Sequence, residues 1–229
     1  MKKILISTLA LLALAAIANQ DIKLNEDKKI QAEINEIGFK ILNANRIEKR
    51  VVFAYDDTDK RNILKNNKPL TKRQVVVFSD IYKNIETEDE LAAYIAREIP
   101  RATRSYDGLG NGFLAAVKLK AAPKKYELVF DKLAVDYMVK AGYNPLGLII
   151  HISKTYPQTR QDKISAHNLT SRRLAYIYER IYFNYPSYLI NNEYIDNVYY
   201  QNYLLTSREN RKITAQKAKN RFGQWQDYE

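Results

Sequence analysis

Apolar side chains recur with helical spacing in the first part of the chain. Ile30, Ile34, Ile37 and Ile41 are three or four positions apart, which predicts one face of an amphipathic helix. Asn25 can cap the start of this helix, and we expect the helix to run to about residue 45. The first element of the domain is therefore predicted to be helical.

Two short runs of β-branched and aromatic residues follow, at 51–55 and 74–78. The stretch between them is polar and rich in Asp and Asn, and it contains a proline. Such a composition is typical of turns and loops. We interpret these runs as two strands joined by a long hairpin-like connection.

A second amphipathic helix is marked at its start by a capping box, formed by Thr87 and Glu90. Its buried stripe is predicted to consist of Leu91, Ile95 and Ile99. Because acidic residues also occupy the first turn, the helix dipole favours a start at this point.

Further helices are predicted in the second half of the chain. One begins near Lys125 and stops at Gly142, with Pro145 just beyond it. Two more are expected at 145–156 and 170–184. Together with the two strands, these elements indicate an α+β fold that is mostly helical.

The N-terminal segment 1–18 has the layout of a secretory signal peptide, with a basic start, an apolar run and small residues before the expected cleavage site after Ala18. It predicts a secreted or periplasmic protein. An uncleaved anchor is the alternative, although the apolar run is short for a membrane span.

Composition limits the chemistry that the chain can perform. Its 229 residues are 46% hydrophobic and contain no cysteine, so thiolate metal sites and thiol nucleophiles are excluded. Only His151 and His167 can supply imidazole nitrogen. The formal net charge is +11, but outside the cytoplasm we do not expect nucleic acid as a partner.

The helix that begins near Thr87 carries an unusual motif. At 97–101 it reads Arg-Glu-Ile-Pro-Arg, which becomes the zinc-binding pattern HExxH when both arginines are replaced by histidine. A second helix carries Glu127 and Asp131, one helical turn apart, and the phrase Ala-Gly-Tyr-Asn-Pro follows at 141–145.

This ordered set of motifs resembles the HtpX and CAAX prenyl protease type of zinc metalloendopeptidase, a gluzincin family. The resemblance covers about residues 25–185 and implies a zincin-like fold with a small sheet beside the motif helix. It also implies that Glu98 stands at the position of the general base and Glu127 at that of the glutamate zinc ligand. Asp131 stands at the position of an acid that supports the metal ligands without binding the metal itself.

A late element of the family, a His-Pro pair with an arginine six residues after the histidine, resembles His167 and Arg173 here. Asn168 stands where the family has proline. The resemblance therefore implies catalytic positions at His167 and Arg173, alongside Glu98.

Arg97 and Arg101 occupy the positions of the two histidine ligands. A guanidinium has no lone pair to donate, so neither can bind a metal. We therefore expect no cofactor and a vestigial role for Glu98. Pro100 lacks a backbone donor and is expected to kink or end the helix.

Two interpretations of the arginines remain open. In one, Arg97 and Arg101 form ion pairs with Glu98 and Glu127 and hold the two helices together where the metal would be. In the other, both arginines point into solvent from a surface face of the helix.

We divide the chain into a signal peptide at 1–18, a metallopeptidase-like domain at 19–185 and a Tyr-rich, basic extension at 186–229. Packing of the tyrosines on the domain is favoured over a role as binding platforms. The basic tail is expected to be solvated, with contact to an anionic membrane surface as the alternative.

The leading hypothesis is an inactive pseudopeptidase that binds a polypeptide or envelope protein, by strand addition at an edge strand. One alternative is an active zinc endopeptidase of the same family, which would require zinc. The other is a basic module that binds the envelope or nucleic acid.

Overall fold

The structure of the protein is a computed structural model. It describes residues 2–58, 73–103, 122–156 and 169–223 together with residues 226 and 228, and in the first helix it describes side chains from Ile22 onward. Within these ranges the chain is mostly helical and has one small sheet. The predicted α+β class is confirmed at this level.

Helix α1 spans Lys2–Ala44 without a break. The predicted start at Asn25 is wrong because this residue lies inside the helix. The chain contains neither proline nor glycine before Gly38, so nothing forces a break between the N-terminal segment and the amphipathic part. Ile34 and Ile41 are buried as their spacing predicted. Among the residues that the structure describes, no helix has both the length and the apolar composition needed to cross a membrane.

Strands β1, Val52–Asp56, and β2, Gln74–Phe78, pair in parallel. The hairpin-like connection is therefore wrong, because a hairpin joins antiparallel strands. A parallel pair needs a crossover of about a dozen residues or more, and the chain between these strands is long enough for one. Most of that connection, 59–72, lies outside the described residues. Val75 and Val77 of β2 are buried in the core.

Side chains of neighbouring helices form hydrogen bonds with the backbone groups on the outer edges of both strands. Gln31 of α1 donates a 3.1 Å hydrogen bond to the carbonyl oxygen of Phe53 and accepts one of 2.7 Å from the backbone N–H of Tyr55. The hydroxyl of Tyr94 donates to the carbonyl oxygen of Val76 at 2.7 Å. These bonds take up backbone groups that a further strand would need for pairing.

Helix α2 spans Ser79–Tyr82 and helix α3 spans Glu88–Thr103. The Thr87 half of the capping box is confirmed, because the backbone N–H of Glu90 donates to Oγ1 of Thr87 at 3.3 Å. The predicted apolar stripe is also confirmed, since its three members are fully buried: Leu91, Ile95 and Ile99.

Pro100 does not end helix α3 at its own position, so that part of the expectation is wrong, while the expected kink stays a prediction. The helix continues to Thr103 with Pro100 buried inside it. The missing N–H removes one backbone hydrogen bond, the one to the carbonyl oxygen of Ala96. In the last turn of the helix the hydroxyl of Thr103 donates to the carbonyl oxygen of Ile99 at 2.9 Å.

The predicted helices of the second half are confirmed. Helix α4 spans Pro123–Lys140, α5 spans Leu146–Thr155 and α6 spans Thr170–Asn184. Just after α4, Gly142 adopts the left-handed conformation (φ +79°) that glycine allows without strain. Helix α3 packs against α4 and α5, and α4 packs against α6.

The C-terminal part forms helices α7, Ser187–Ile190, α8, Val198–Thr206, and α9, Arg208–Phe222. The expectation of a solvated tail is wrong for one face of α9, which packs against α6. Packing of the tyrosines is confirmed for several rings. The buried members of these elements are Leu189, Tyr200, Tyr203, Arg211, Thr214 and Ala218.

Candidate functional site

The motif positions of α3 and α4 meet inside the protein. Helix α3 carries Arg97, Glu98 and Arg101, and helix α4 carries Glu127 and Asp131 on one face. Arg97 is 8% exposed, Glu127 is 5% exposed and Asp131 is fully buried. Charged groups this deeply buried require partners.

Asp131 is the centre of the cluster. Its Oδ1 accepts a 2.9 Å hydrogen bond from Nε of Arg97 and one of 2.8 Å from Nη2 of Arg173. Its Oδ2 accepts a 2.8 Å bond from Nε of Arg173. Arg173, which is 1% exposed, thus binds the carboxylate in the bidentate mode that suits a guanidinium.

Both glutamates of the motif also contact guanidinium groups. Oε1 of Glu127 lies 3.6 Å from Nη2 of Arg97 and 3.6 Å from Nη1 of Arg173. Oε1 of Glu98 lies 3.1 Å from Nη1 of Arg97, and its Oε2 lies 3.3 Å from Nη1 of Arg101. The predicted pairing of Arg97 with both glutamates is confirmed.

Arg101 contacts Glu98, and its side chain is 53% exposed. It therefore agrees in part with the alternative interpretation, in which the arginines face solvent. A pair this exposed contributes little to stability. The two arginines that replace histidine thus play different parts, since Arg97 alone of the two enters the interior.

Sequence reasoning missed Tyr156, which follows α5. Its ring centroid lies 4.4 Å from Cζ of Arg173 and 5.5 Å from Cζ of Arg97, so the ring contacts both guanidinium groups. Its hydroxyl accepts a 3.3 Å hydrogen bond from Nη1 of Arg97. No motif marks this residue, which is one of 18 tyrosines in the chain.

The cluster shifts the pKa values of Asp131 and Arg97. Burial raises the pKa of the Asp131 carboxyl, but hydrogen bonds from Arg173 and the charge of Arg97 outweigh burial and hold the pKa below its ordinary value. Burial lowers the pKa of the Arg97 guanidinium, but its interactions with Tyr156, Asp131 and Glu98 outweigh that effect and raise it. Both groups are therefore charged at neutral pH.

The donors at this site do not fit a zinc ion. Zinc needs lone pairs from three or four ligands, and the guanidinium groups of Arg97 and Arg101 have none to offer. The carboxylate of Glu127 is already within ion-pairing distance of two arginines. Across the described residues, no group of three or more His, Cys, Asp or Glu side chains is arranged to hold a metal ion.

The contacts described above involve neither histidine. His167 and its neighbour Asn168 lie outside the described residues. His151 is buried on α5, with its ring centroid 5.7 Å from that of Tyr94 in an edge-on contact. Of the predicted site residues, the structure brings together the two acids of α4, the three charged residues of α3 and Arg173.

Comparison with known proteins does not assign the chain to a family, because no family model, curated protein or solved structure matches it.

Proposed function

We propose that the chain is a metallopeptidase-like protein with a zincin-like fold that binds no zinc, hydrolyses no peptide and acts by binding a polypeptide of the cell envelope. One observation carries the loss of catalysis. The guanidinium of Arg97 lies within ion-pairing distance of Glu98, Glu127 and Asp131, the acids that resemble the general base, the zinc ligand and the acid behind the metal.

The chemistry of this arrangement supports an inactive site. Hydrolysis of a peptide by a gluzincin requires a polarised water and a base that can accept its proton. Glu98 is instead held between Arg97 and Arg101, at 3.1 and 3.3 Å, so each of its carboxylate oxygens already contacts a cation. Its carboxylate is therefore an ion-pair partner in this proposal and not a general base.

Binding without catalysis is the remaining role for such a domain, and the signal-like segment 1–18 supports a location in the envelope. Strand addition is the less favoured mode. Gln31 and Tyr94 already bond the outward-facing groups of β1 and β2, so a partner would have to displace them. The binding surface in this proposal therefore lies on the helices.

Metal analysis of the purified secreted chain tests the loss of catalysis, together with a protease assay on unfolded casein. We expect less than stoichiometric zinc and no cleavage, for the natural chain and for Arg101→His. The double variant Arg97→His and Arg101→His tests whether two imidazoles suffice to restore metal binding. One tightly bound zinc per natural chain, with cleavage that a chelator stops, would overturn the proposal in favour of an active endopeptidase.

A further inference from the structure

We propose that the groove between α6 and α9 binds an acidic polypeptide segment. The inference rests on the proposed polypeptide binding and gives it a surface. Helix α9 lies beside α6 and leaves two concave stretches of about 290 and 360 Å³. Tyr176 and Glu179 of α6 border both stretches, so the two adjoin and form one groove.

The charge of the groove favours an anionic ligand. Lys217 forms a 2.6 Å ion pair with Glu179, and Arg180 forms one of 2.7 Å with Asp136. Among the described residues, the other cations of the groove have no carboxylate within ion-pairing distance, and Glu179 is the only acid in the lining. The cationic side chains that line the groove are Lys132, Arg172, Arg180, Lys217 and Arg221.

Aromatic rings lie among these cations. Nζ of Lys132 lies 4.8 Å from the ring centroid of Tyr176. The rings of Phe183 and Phe222 are 6.1 Å apart, and Phe222 is 59% exposed. Exposed rings of this kind offer contact area to apolar side chains. The ligand class that fits both features is a peptide in which acidic and apolar residues alternate or are interspersed.

The shape of the groove favours an extended chain over a membrane surface. Its lining runs along α6 from Ser171 to Asn184, which corresponds to about 20 Å at 1.5 Å per helical residue. An extended peptide of about six residues has this length. The side chains of Asn184 and Asn210 line the groove and can bond a peptide backbone. A flat bilayer would touch the rims and leave the interior unused.

The test measures binding of a fluorescein-labelled peptide of glutamates around a central phenylalanine, by anisotropy, with a peptide that carries lysine for glutamate as its counterpart. The variant is Lys132→Glu with Arg221→Glu. Its matched control is Lys140→Glu with Lys219→Glu. Each of these variants changes one residue of α4 and one of α9 and alters the charge equally, but Lys140 and Lys219 are exposed residues outside the groove lining. Circular dichroism verifies that both variants fold.

We expect the acidic peptide to bind the natural chain and the control equally well. The groove variant should bind it about tenfold more weakly, because two cations that pair with peptide glutamates are replaced by acids that repel them. Equal loss in both variants would show that net charge, not the groove, is responsible and would overturn the inference. So would binding confined to phosphatidylglycerol vesicles or to a single-stranded oligonucleotide.

An array of immobilised peptides of varied composition separates this inference from the proposed function. If the natural chain binds neutral peptides without preference for acidic ones, and the groove variant binds them equally well, polypeptide binding stands and the groove assignment fails. If no peptide of any composition binds, both fail.

Discussion

Nε of Arg97 donates a 2.9 Å hydrogen bond to Oδ1 of Asp131 and thereby joins α3 to α4 in the interior of the protein. The two residues are 34 positions apart in the sequence. Because Arg173 of α6 binds the same carboxylate, one acid connects three helices.

Replacement of Arg97 by methionine should lower the free energy of unfolding by about 3–5 kcal/mol, because it leaves Glu127 and Asp131 buried with one fewer cation. Urea unfolding near neutral pH measures this change. The control is Arg101→Met, whose exposed side chain should matter by less than about 1 kcal/mol. Equal effects of the two substitutions would contradict the division of roles between these arginines.

Asp131 should make stability depend on pH. Its pKa in the folded protein lies below the ordinary value, so its contribution is fully present above about pH 4, the ordinary pKa of Asp. The contribution is lost as the pH falls through the lower, folded pKa. Asp131→Asn should be destabilised above pH 4, and its deficit relative to the natural chain should shrink towards lower pH. Urea midpoints measured at several pH values test this, and a deficit independent of pH would contradict it.

Lys154 of α5 and Glu90 of α3 form a second buried pair. Nζ of Lys154 lies 2.9 Å from Oε2 of Glu90, with the two side chains 5% and 0% exposed. Burial raises the pKa of Glu90 and Lys154 opposes this, with a net rise. Lys154→Met removes the cation that stabilises the Glu90 carboxylate, so it should destabilise the protein by about 3 kcal/mol at neutral pH.

The Glu90 carboxyl affects stability in the sense opposite to Asp131, because its pKa is raised in the folded protein and its contribution becomes less favourable as the pH rises. The loss of unfolding free energy in Lys154→Met should therefore grow as the pH rises through about 4.3, the ordinary pKa of Glu. Above this pH the unfolded chain ionises freely, whereas the folded variant must either bury an unpaired carboxylate or keep Glu90 protonated. Adding Glu90→Gln removes that charge and should recover most of the loss. If the double variant is no more stable than the single one by thermal unfolding, the pairing does not account for the cost.

Gln31 should protect the outer edge of β1. Gln31→Leu leaves the carbonyl of Phe53 and the N–H of Tyr55 without their present partner, which should cost about 1–2 kcal/mol. It should also increase aggregation on warming, since an uncovered edge can pair with another chain. Light scattering and urea unfolding measure the two effects. Asn35→Leu is the control, because this side chain contacts Gln31, and the same aggregation in both variants would argue against edge protection.

Local signals in the sequence predicted much of the fold. The capping box of Thr87 and Glu90 set the start of α3, and Gly142 marked the end of α4, because caps depend on residues that are close in sequence. Helix α6 was predicted with the bounds that it has, 170–184. The pairing of the strands was not predictable in this way, because nothing within either strand specifies whether its neighbour runs parallel or antiparallel.

In the candidate site, too, features that depend on nearby residues were predictable and contacts between distant segments were not. The motif spacing indicated that Glu127 and Asp131 share a face and that Arg97 pairs with acids. It did not indicate that Asp131 would be the main partner of Arg97, nor that Tyr156 would contact both guanidinium groups. Those contacts depend on how α4, α5 and α6 meet, which is decided by packing between segments distant in sequence.

The cations of this cluster are covalently part of the chain, and this changes what the fold depends on. A bound metal contributes stability that rises and falls with its free concentration and disappears in a chelator. The guanidinium groups of Arg97 and Arg173 cannot be diluted away or exchanged for a competing ion. In an environment where trace metals are scarce or contested, the connection between the three helices therefore persists unchanged.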